Sequence, residues 1–150
     1  MIVTSKNDGL KLAMFMFLRN RGVLLHRSED FQAIGRVGVA GQLIGVVGYN
    51  GFCGRCCSMH IAGDGNWVSR EFIRAAFDYP FNQIGVEYVV SPLGADNHRA
   101  LKFDKHFGFT ELARIPEGWD VGVDLVILKL KKSDCKWLRE GRPVLVEKAA

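Results

Sequence analysis

The sequence is poor in proline and cysteine and has no long uncharged apolar run. It contains four prolines and four cysteines in 150 residues. The most apolar stretch, residues 10–18, is interrupted by Lys11 and is too short to span a bilayer. No small-residue cleavage site follows it, so we expect neither a signal peptide nor a membrane anchor. These absences favour a cytoplasmic protein.

The few cysteines argue against a disulfide framework. Cys53, Cys56, Cys57 and Cys135 are expected to be free thiols in a chain without an export signal. One alternative stays open, because Cys53, Cys56, His60 and Cys135 have the donor types of a tetrahedral zinc site. Structural zinc sites usually pair two Cys-x-x-Cys motifs, and only one is visible here. We therefore predict no metal.

Positive charge exceeds negative charge only near the C-terminal end. The net charge is +4, and residues 129–150 hold seven basic and three acidic residues, which accounts for the whole excess. A solvated basic tail over about residues 132–150 is expected rather than a nucleic-acid groove, while an acidic partner stays open. Apolar residues make up 48% and charged residues 24%, which is typical of one folded domain spanning residues 1–150.

Periodicity predicts an α/β (α+β) fold. The predicted strands are residues 31–39, 42–49, 56–62, 86–90, 109–115 and 124–130. The predicted helices are about residues 8–22, 68–79 and 97–108. Antiparallel strands come first and a strand-helix-strand crossover follows, so we expect a mixed sheet with helices on its faces.

Turn residues predict where these elements end. Asn50-Gly51 suits a tight turn between two strands. Pro80 is expected to stop or kink the second helix after Tyr79, and Pro92 to mark the turn after the fourth strand. Residues 116–119 are expected to connect the last two strands.

Two segments carry candidate chemistry. In residues 59–69 a strand runs into Gly63 and Gly65 and then into a helix, whose free N-terminal amides favour phosphate. In residues 97–109 a helix begins at Asn97 and ends at Gly108. The Asn97 amide can hydrogen-bond a bound ligand, or it can simply cap the helix; both readings stay open.

From residue 31 to residue 130 the chain resembles the GNAT (GCN5-related N-acetyltransferase) family, chiefly through Asn97, Ala100 and the Gly108-Phe109 helix end. Residues 118–124 are similar to the branch that includes ribosomal-protein N-terminal acetyltransferases, and the compact chain resembles small members encoded by bacteriophages. The resemblance implies a mostly antiparallel sheet sandwiched by helices. It also implies a V-shaped opening between the strands ending at Ala62 and Val90.

Acetyl-CoA is implied as the co-substrate, lying in that opening with its pyrophosphate on residues 63–69. The cofactor-binding residues carried over from the family are Ile61, Ala62, Gly63, Gly65, Asn66, Trp67, Val68, Ser69, Asn97, Ala100 and Phe103. The sequence departs from the family pattern at three positions. Asp64 stands where a basic or amide residue is usual, Trp67 where glycine is common, and Asp104 where many members have an acid-acting tyrosine.

His60 is the candidate catalytic base, because its ordinary pKa of about 6.5 suits proton removal near neutrality. A structural histidine is the competing reading, and Glu29 and Glu71 are weaker candidate bases. A backbone amide at position 60, 61 or 62 is expected to polarise the thioester carbonyl.

The predicted function is transfer of an acetyl group from acetyl-CoA to a primary amine, which is a protein N-terminus, a lysine or a small amine. The predicted oligomeric state is a monomer or homodimer. A catalytically weak GNAT-fold protein that binds or inhibits a protein partner is the alternative.

Overall fold

The computed structural model describes residues 1–138, so most of the predicted basic tail lies outside the described residues. Its strands are β1 (Ile2–Thr4), β2 (Gln32–Val37), β3 (Leu43–Cys53), β4 (Cys56–Gly63), β5 (Tyr88–Gly94), β6 (Thr110–Asp120) and β7 (Val123–Lys131). Its α-helices are α1 (Asp8–Asn20), α2 (Arg70–Asp78) and α3 (His98–His106). Among the described residues, no helix is long and apolar enough to cross a membrane.

The seven strands form one sheet in the order β1-β2-β3-β4-β5-β7-β6. Each neighbouring pair is antiparallel except β4 and β5, which are parallel. The predicted mixed, mostly antiparallel sheet is therefore confirmed. Parallel neighbours require a crossover, and α2 supplies it between β4 and β5.

The core lies in two layers, one on each face of the sheet. On one face α1 packs through Met14 and Leu18 against Val46 of β3. On the other face Phe72 of α2 and Val47 of β3 belong to one core layer, and α3 lies against β5. Successive residues of one strand thus serve opposite layers, as the two-residue period of a strand requires.

The prediction that Asn50-Gly51 forms the hairpin turn is wrong. β3 continues to Cys53, and a shift in register with β4 between Asn50 and Cys53 absorbs Gly51, whose φ is +61°. The turn instead uses Gly54, at φ +57°. Both glycines occupy the left-handed region, and the sequence does not reveal which of two such residues makes the turn.

At Pro80 the second helical segment changes its winding rather than stopping: α2 ends at Asp78, and a π-helical turn, Tyr79–Ile84, follows it directly. A proline in a helix leaves the carbonyl four residues earlier without its N–H donor. Here that carbonyl belongs to Ala76, and the Tyr49 hydroxyl donates to it at 2.6 Å. The tertiary contact therefore replaces the hydrogen bond that the proline cannot make.

Pro92 lies inside β5 rather than in a turn. The Ala95 N–H, just after β5, donates to the Asp124 carbonyl of β7. Alternation along β5 therefore points the Pro92 nitrogen to the opposite edge, towards β4. There β4 has already left β5, and no ladder hydrogen bond is lost. Two smaller corrections apply: β1 was not predicted, and residues 116–119 belong to β6.

Candidate functional site

The sheet opens between β4 and β5. The two strands pair only through residues 56–58 and 88–90, and beyond these pairs they are no longer bonded to each other. β4 continues to Gly63 and β5 to Gly94, on either side of the opening. The opening lies where the resemblance placed it, although β5 runs four residues past the predicted end at Val90.

Backbone direction decides which amides face this opening. The Asp64 N–H donates to Ile44 of β3, whereas the Arg55 carbonyl accepts from Glu87 and Tyr88 beside β5. Because successive groups along a strand alternate, even-numbered residues of β4 point towards β3 and odd-numbered residues towards β5. Ile61 is thus the one of the three proposed polarising positions whose N–H faces the opening. The amides at positions 60 and 62 face β3.

Side chains on β4 also alternate, and they separate two environments. Met59 and Ile61 face the α2/α3 side, where they line a small cavity. Ser58 and His60 face the α1 side, where they line a pocket of about 640 Å³. The opening in the sheet lies between these two sides.

The pocket on the α1 side is polar and open. The His60 Nε2 atom lies 2.8 Å from the Asn50 Oδ1 atom, and burial lowers the pKa of His60 to about 4. The ring is therefore neutral at pH 7. Glu29 and Asp30 line the same pocket. The Phe52 N–H donates to Asp30 at 2.9 Å, which lowers the pKa of that carboxyl and keeps it ionised.

Two arginines from other parts of the fold hydrogen-bond to the loop after β4. Asp64 forms a two-bond ion pair with Arg21, which follows α1, with N to O distances of 2.8 and 2.5 Å. The Arg36 guanidinium of β2 donates to the carbonyl oxygens of Asn66 and Trp67, each at 2.7 Å. Ser69 then caps α2, since its hydroxyl accepts the Phe72 N–H. Two arginines that the sequence reading missed therefore lie beside the predicted phosphate loop.

Trp67 lies across the mouth of the opening on the α2/α3 side. Its ring covers Gly63 so closely that a Cβ there would be 2.1 Å from it. The same ring packs against Phe103 of α3, with 5.7 Å between centroids, and against Phe72 of α2 at 6.2 Å. Trp67 thus joins the end of β4 to α3.

The remaining predicted cofactor residues lie at the start of α3, in the loop after β4 and on β4 itself. The Asn97 side-chain oxygen caps α3 by accepting the Ala100 N–H at 3.1 Å, which leaves its NH₂ group as a further donor. Gly65, Asn66 and Val68 are exposed, whereas Ala62 packs towards the α1 layer, away from Trp67.

Asp104, at the position where many members of the family have a tyrosine, is a buried carboxyl of α3. The residue is 7% exposed, and the Ser91 hydroxyl donates to it at 2.7 Å. Burial raises the pKa of Asp104 to about 6. The available signal was helical spacing, which places Asp104 on the apolar side of α3 between Leu101 and Phe107.

The zinc alternative has no support in the geometry. Among residues 1–138, no group of three His, Cys, Asp or Glu side chains could hold a metal ion. Cys53 is exposed while Cys135 is buried, and all four cysteines are free thiols.

A seven-stranded mixed sheet that opens between parallel strands, with helices on both faces, is the GNAT fold. No protein-family model matches the sequence, and no curated protein matches it. Among solved structures, a mutant of spermidine N-acetyltransferase SpeG from Vibrio cholerae is similar at 14% identity with a TM-score of 0.72, covering 95% of this chain and 98% of that one.

Two further SpeG structures from Vibrio cholerae are also similar. A dodecameric form in an intermediate state has a TM-score of 0.71 at 16% identity, covering 95% of this chain and 98% of that one. A complex with CoA and spermine has a TM-score of 0.63 at 18% identity, covering 80% and 75%. At these identities the likeness establishes the fold alone.

Proposed function

We propose that this protein is an N-acetyltransferase that moves the acetyl group of acetyl-CoA directly onto a primary amine. The carrying observation is the separation of β4 from β5, which leaves odd-numbered amides of β4 facing an opening. An extended ligand that contains amides can pair with such a strand edge as an added strand would. The pantetheine arm of CoA is a ligand of that kind.

The chain's own groups fit the rest of this co-substrate. The N-terminus of α2, with Ser69 as its cap, offers backbone N–H groups to a pyrophosphate. Arg21 and Arg36 add positive charge beside this loop. Gly63 leaves the end of β4 without a side chain, so a narrow molecule can lie there once Trp67 moves away.

We assign the acceptor amine to the pocket on the α1 side. Because His60 is neutral, its ring can accept the proton that the amine loses when it attacks. The Ile61 N–H can hydrogen-bond the carbonyl oxygen as negative charge develops on it. Glu29 and Asp30 favour an amine that carries additional positive charge.

This charge makes polyamines, lysine-containing peptides and basic protein N-termini the first acceptors to test. The neighbour crystallised with CoA and spermine acts on a substrate of this chemistry. The resemblance of residues 118–124 to the ribosomal-protein branch adds N-terminal peptides to the set. Membership of that branch and a bacteriophage origin stay predictions.

The cofactor half of the proposal is tested by calorimetric titration with acetyl-CoA. Ser69→Asp keeps a helix cap and places a negative charge where the pyrophosphate would lie, so affinity should fall by more than about tenfold. Ser69→Asn has the same shape without the charge, and its affinity should stay within about threefold of wild type. Equal acetyl-CoA affinity in both variants would show that the pyrophosphate does not bind at this loop.

The alternative, a weak or inactive member that binds a protein partner, is favoured by Trp67 across the mouth and by Asp64 in the loop. It predicts that the wild-type protein does not bind acetyl-CoA at all. It also predicts no acetylated product with any amine of the set, measured by mass spectrometry.

A further inference from the structure

A buried carboxyl lies at the inner end of the opening. Asp104 lines a cavity of about 20 Å³ together with Met59 and Ile61 of β4 and Ser91 of β5. Met59 and Ser91 are the first residues past the last pair between the strands, Ser58 and Val90. The cavity therefore lies where β4 and β5 begin to separate, next to the Ile61 amide.

Within the described part of the chain, the side chains that line the cavity beside Asp104 include no second charge. β4 contributes Met59 and Ile61 to the cavity, α2 contributes apolar side chains, and β5 contributes Ser91. Within residues 1–138, no ion pair involves Asp104, and its side-chain partner is the Ser91 hydroxyl. A carboxyl in such a place resists ionisation, and its pKa rises to about 6.

Asp104 and His60 lie on opposite faces of β4, and their environments move their pKa values in opposite directions. His60 is held neutral and Asp104 is held towards its protonated form. When two titratable groups of one site are separated in this way, one is suited to accept a proton and the other to donate one. His60 faces the proposed amine pocket, so Asp104 is on the side of the leaving sulfur.

We propose that Asp104, hydrogen-bonded by Ser91 at the inner end of the opening, donates the proton taken up by the CoA sulfur when the thioester bond breaks. This inference rests on the proposed acetyl transfer. The amine nitrogen bonds to the carbonyl carbon and loses a proton to His60. The carbon–sulfur bond breaks, its electron pair goes to sulfur, and the Asp104 proton gives the free thiol.

The protein and the solvent account for every proton in this step. His60 ends with one proton more and Asp104 with one fewer, and exchange with water restores both. The cavity has about the volume of one water molecule, so a single water can relay the proton from the Asp104 carboxyl to the sulfur.

The first test is Asp104→Asn, which keeps the shape and an oxygen for the Ser91 hydroxyl but removes the acid. We expect kcat to fall by about 100-fold at pH 6 while the Kd for acetyl-CoA stays within about threefold. In the wild type, kcat should fall at high pH as Asp104 ionises, and this falling limb should be absent in the variant. Asp96→Asn, an exposed aspartate before α3, is the matched control and should behave as wild type.

Ser91→Ala supplies a readout that a purely structural role would not move. The Ser91 hydroxyl stabilises the ionised carboxylate, so its removal should raise the pKa of Asp104. The falling limb of the pH profile should therefore shift to higher pH while Asp104 is intact. A limb that stays in place overturns the proposal, as does an Asp104→Asn enzyme with wild-type kcat and pH profile.

Acetyl transfer and the proton-donor role of Asp104 can be disproved separately. If wild-type protein neither binds acetyl-CoA nor acetylates any amine, the proposed function and this step are both overturned. If wild-type protein is active but Asp104→Asn loses acetyl-CoA binding together with kcat, Asp104 supports the fold of the site and the proton-donor role is rejected.

Discussion

The two faces of β4 present different environments to one short strand. On the α1 side, His60 opens into a polar pocket of about 640 Å³ that carries Glu29 and Asp30. On the α2/α3 side, the cavity beside Asp104 is about 20 Å³ and is lined almost entirely by apolar side chains. One side is therefore ready to receive a polar molecule, whereas the other must open before it can.

This difference shows how a strand can supply two kinds of proton chemistry. Alternation sends neighbouring side chains to opposite layers, and each layer sets its own electrostatics. Burial disfavours the charged form on both sides, which lowers the pKa of a histidine and raises the pKa of an aspartate. The base and the acid are thus produced by one physical effect acting on two residue types.

The largest effect on activity is expected on the α1 side of β4, at His60. His60→Ala should lower kcat by about 100-fold or more, because the amine then has no positioned proton acceptor. His106→Ala is the control, since that exposed histidine lies at the end of α3. Initial rates at saturating acetyl-CoA and amine measure the effect. A His60→Ala enzyme with wild-type kcat would return His60 to the structural role that its contact with Asn50 also allows.

The sequence was sufficient for much of this architecture. Asn7, Ser69 and Asn97 each precede an apolar helical repeat, and all three cap helices. The resemblance carried by residues 97–109 implied the opening, which the structure has between β4 and β5. These signals depend on residues that are neighbours in the sequence, so they hold regardless of how the rest of the chain folds.

The features that the sequence does not reveal depend on distant partners. Pro80 could be accommodated only because Tyr49, on another strand, satisfies the Ala76 carbonyl. Arg21 and Arg36 meet the loop from α1 and β2, at sequence distances where no pattern links them. The protonation of Asp104 depends on burial in the folded core, which spacing alone does not measure.

On the α2/α3 side of β4, ionisation of Asp104 should make the free energy of unfolding strongly dependent on pH. The folded pKa of Asp104, about 6, lies above its unfolded value of about 4. Its stabilisation is therefore complete below about pH 4 and is lost as the pH rises through about 6. Asp104→Asn avoids this loss, so the free energy of unfolding at pH 7 should rise by up to about 3 kcal/mol.

Chemical denaturation at pH 4 and pH 7 measures this difference, which should vanish at pH 4. His60→Gln is the opposite control. Because the folded pKa of His60 lies below its unfolded value, wild-type stability should fall as the pH drops from about 6.5 to about 4, and the variant should lack that fall. Equal pH dependence in both variants would contradict the contrast between the two faces.

Opening the closed side should have an intermediate effect. Trp67→Ala removes two aromatic contacts that hold the mouth shut, at about 0.5–1.5 kcal/mol each. If these contacts must break before acetyl-CoA enters, affinity should rise by about tenfold. A fall in affinity would instead make Trp67 part of the binding surface.

The smallest expected effect concerns the ion pair between Arg21 and Asp64. Asp64 is fully exposed, and an exposed pair contributes little to stability, so its interest lies in competition. Asp64→Asn frees the Arg21 guanidinium for a phosphate and should tighten acetyl-CoA binding by about two- to threefold at low salt, with the gain disappearing at high salt. Glu87→Gln breaks a comparable exposed pair with Arg55 away from the loop and should change nothing. Weaker binding by Asp64→Asn would mean that the pair orders the loop for the co-substrate. Asp64, one of the three departures from the family pattern, would then support the phosphate site rather than compete with it.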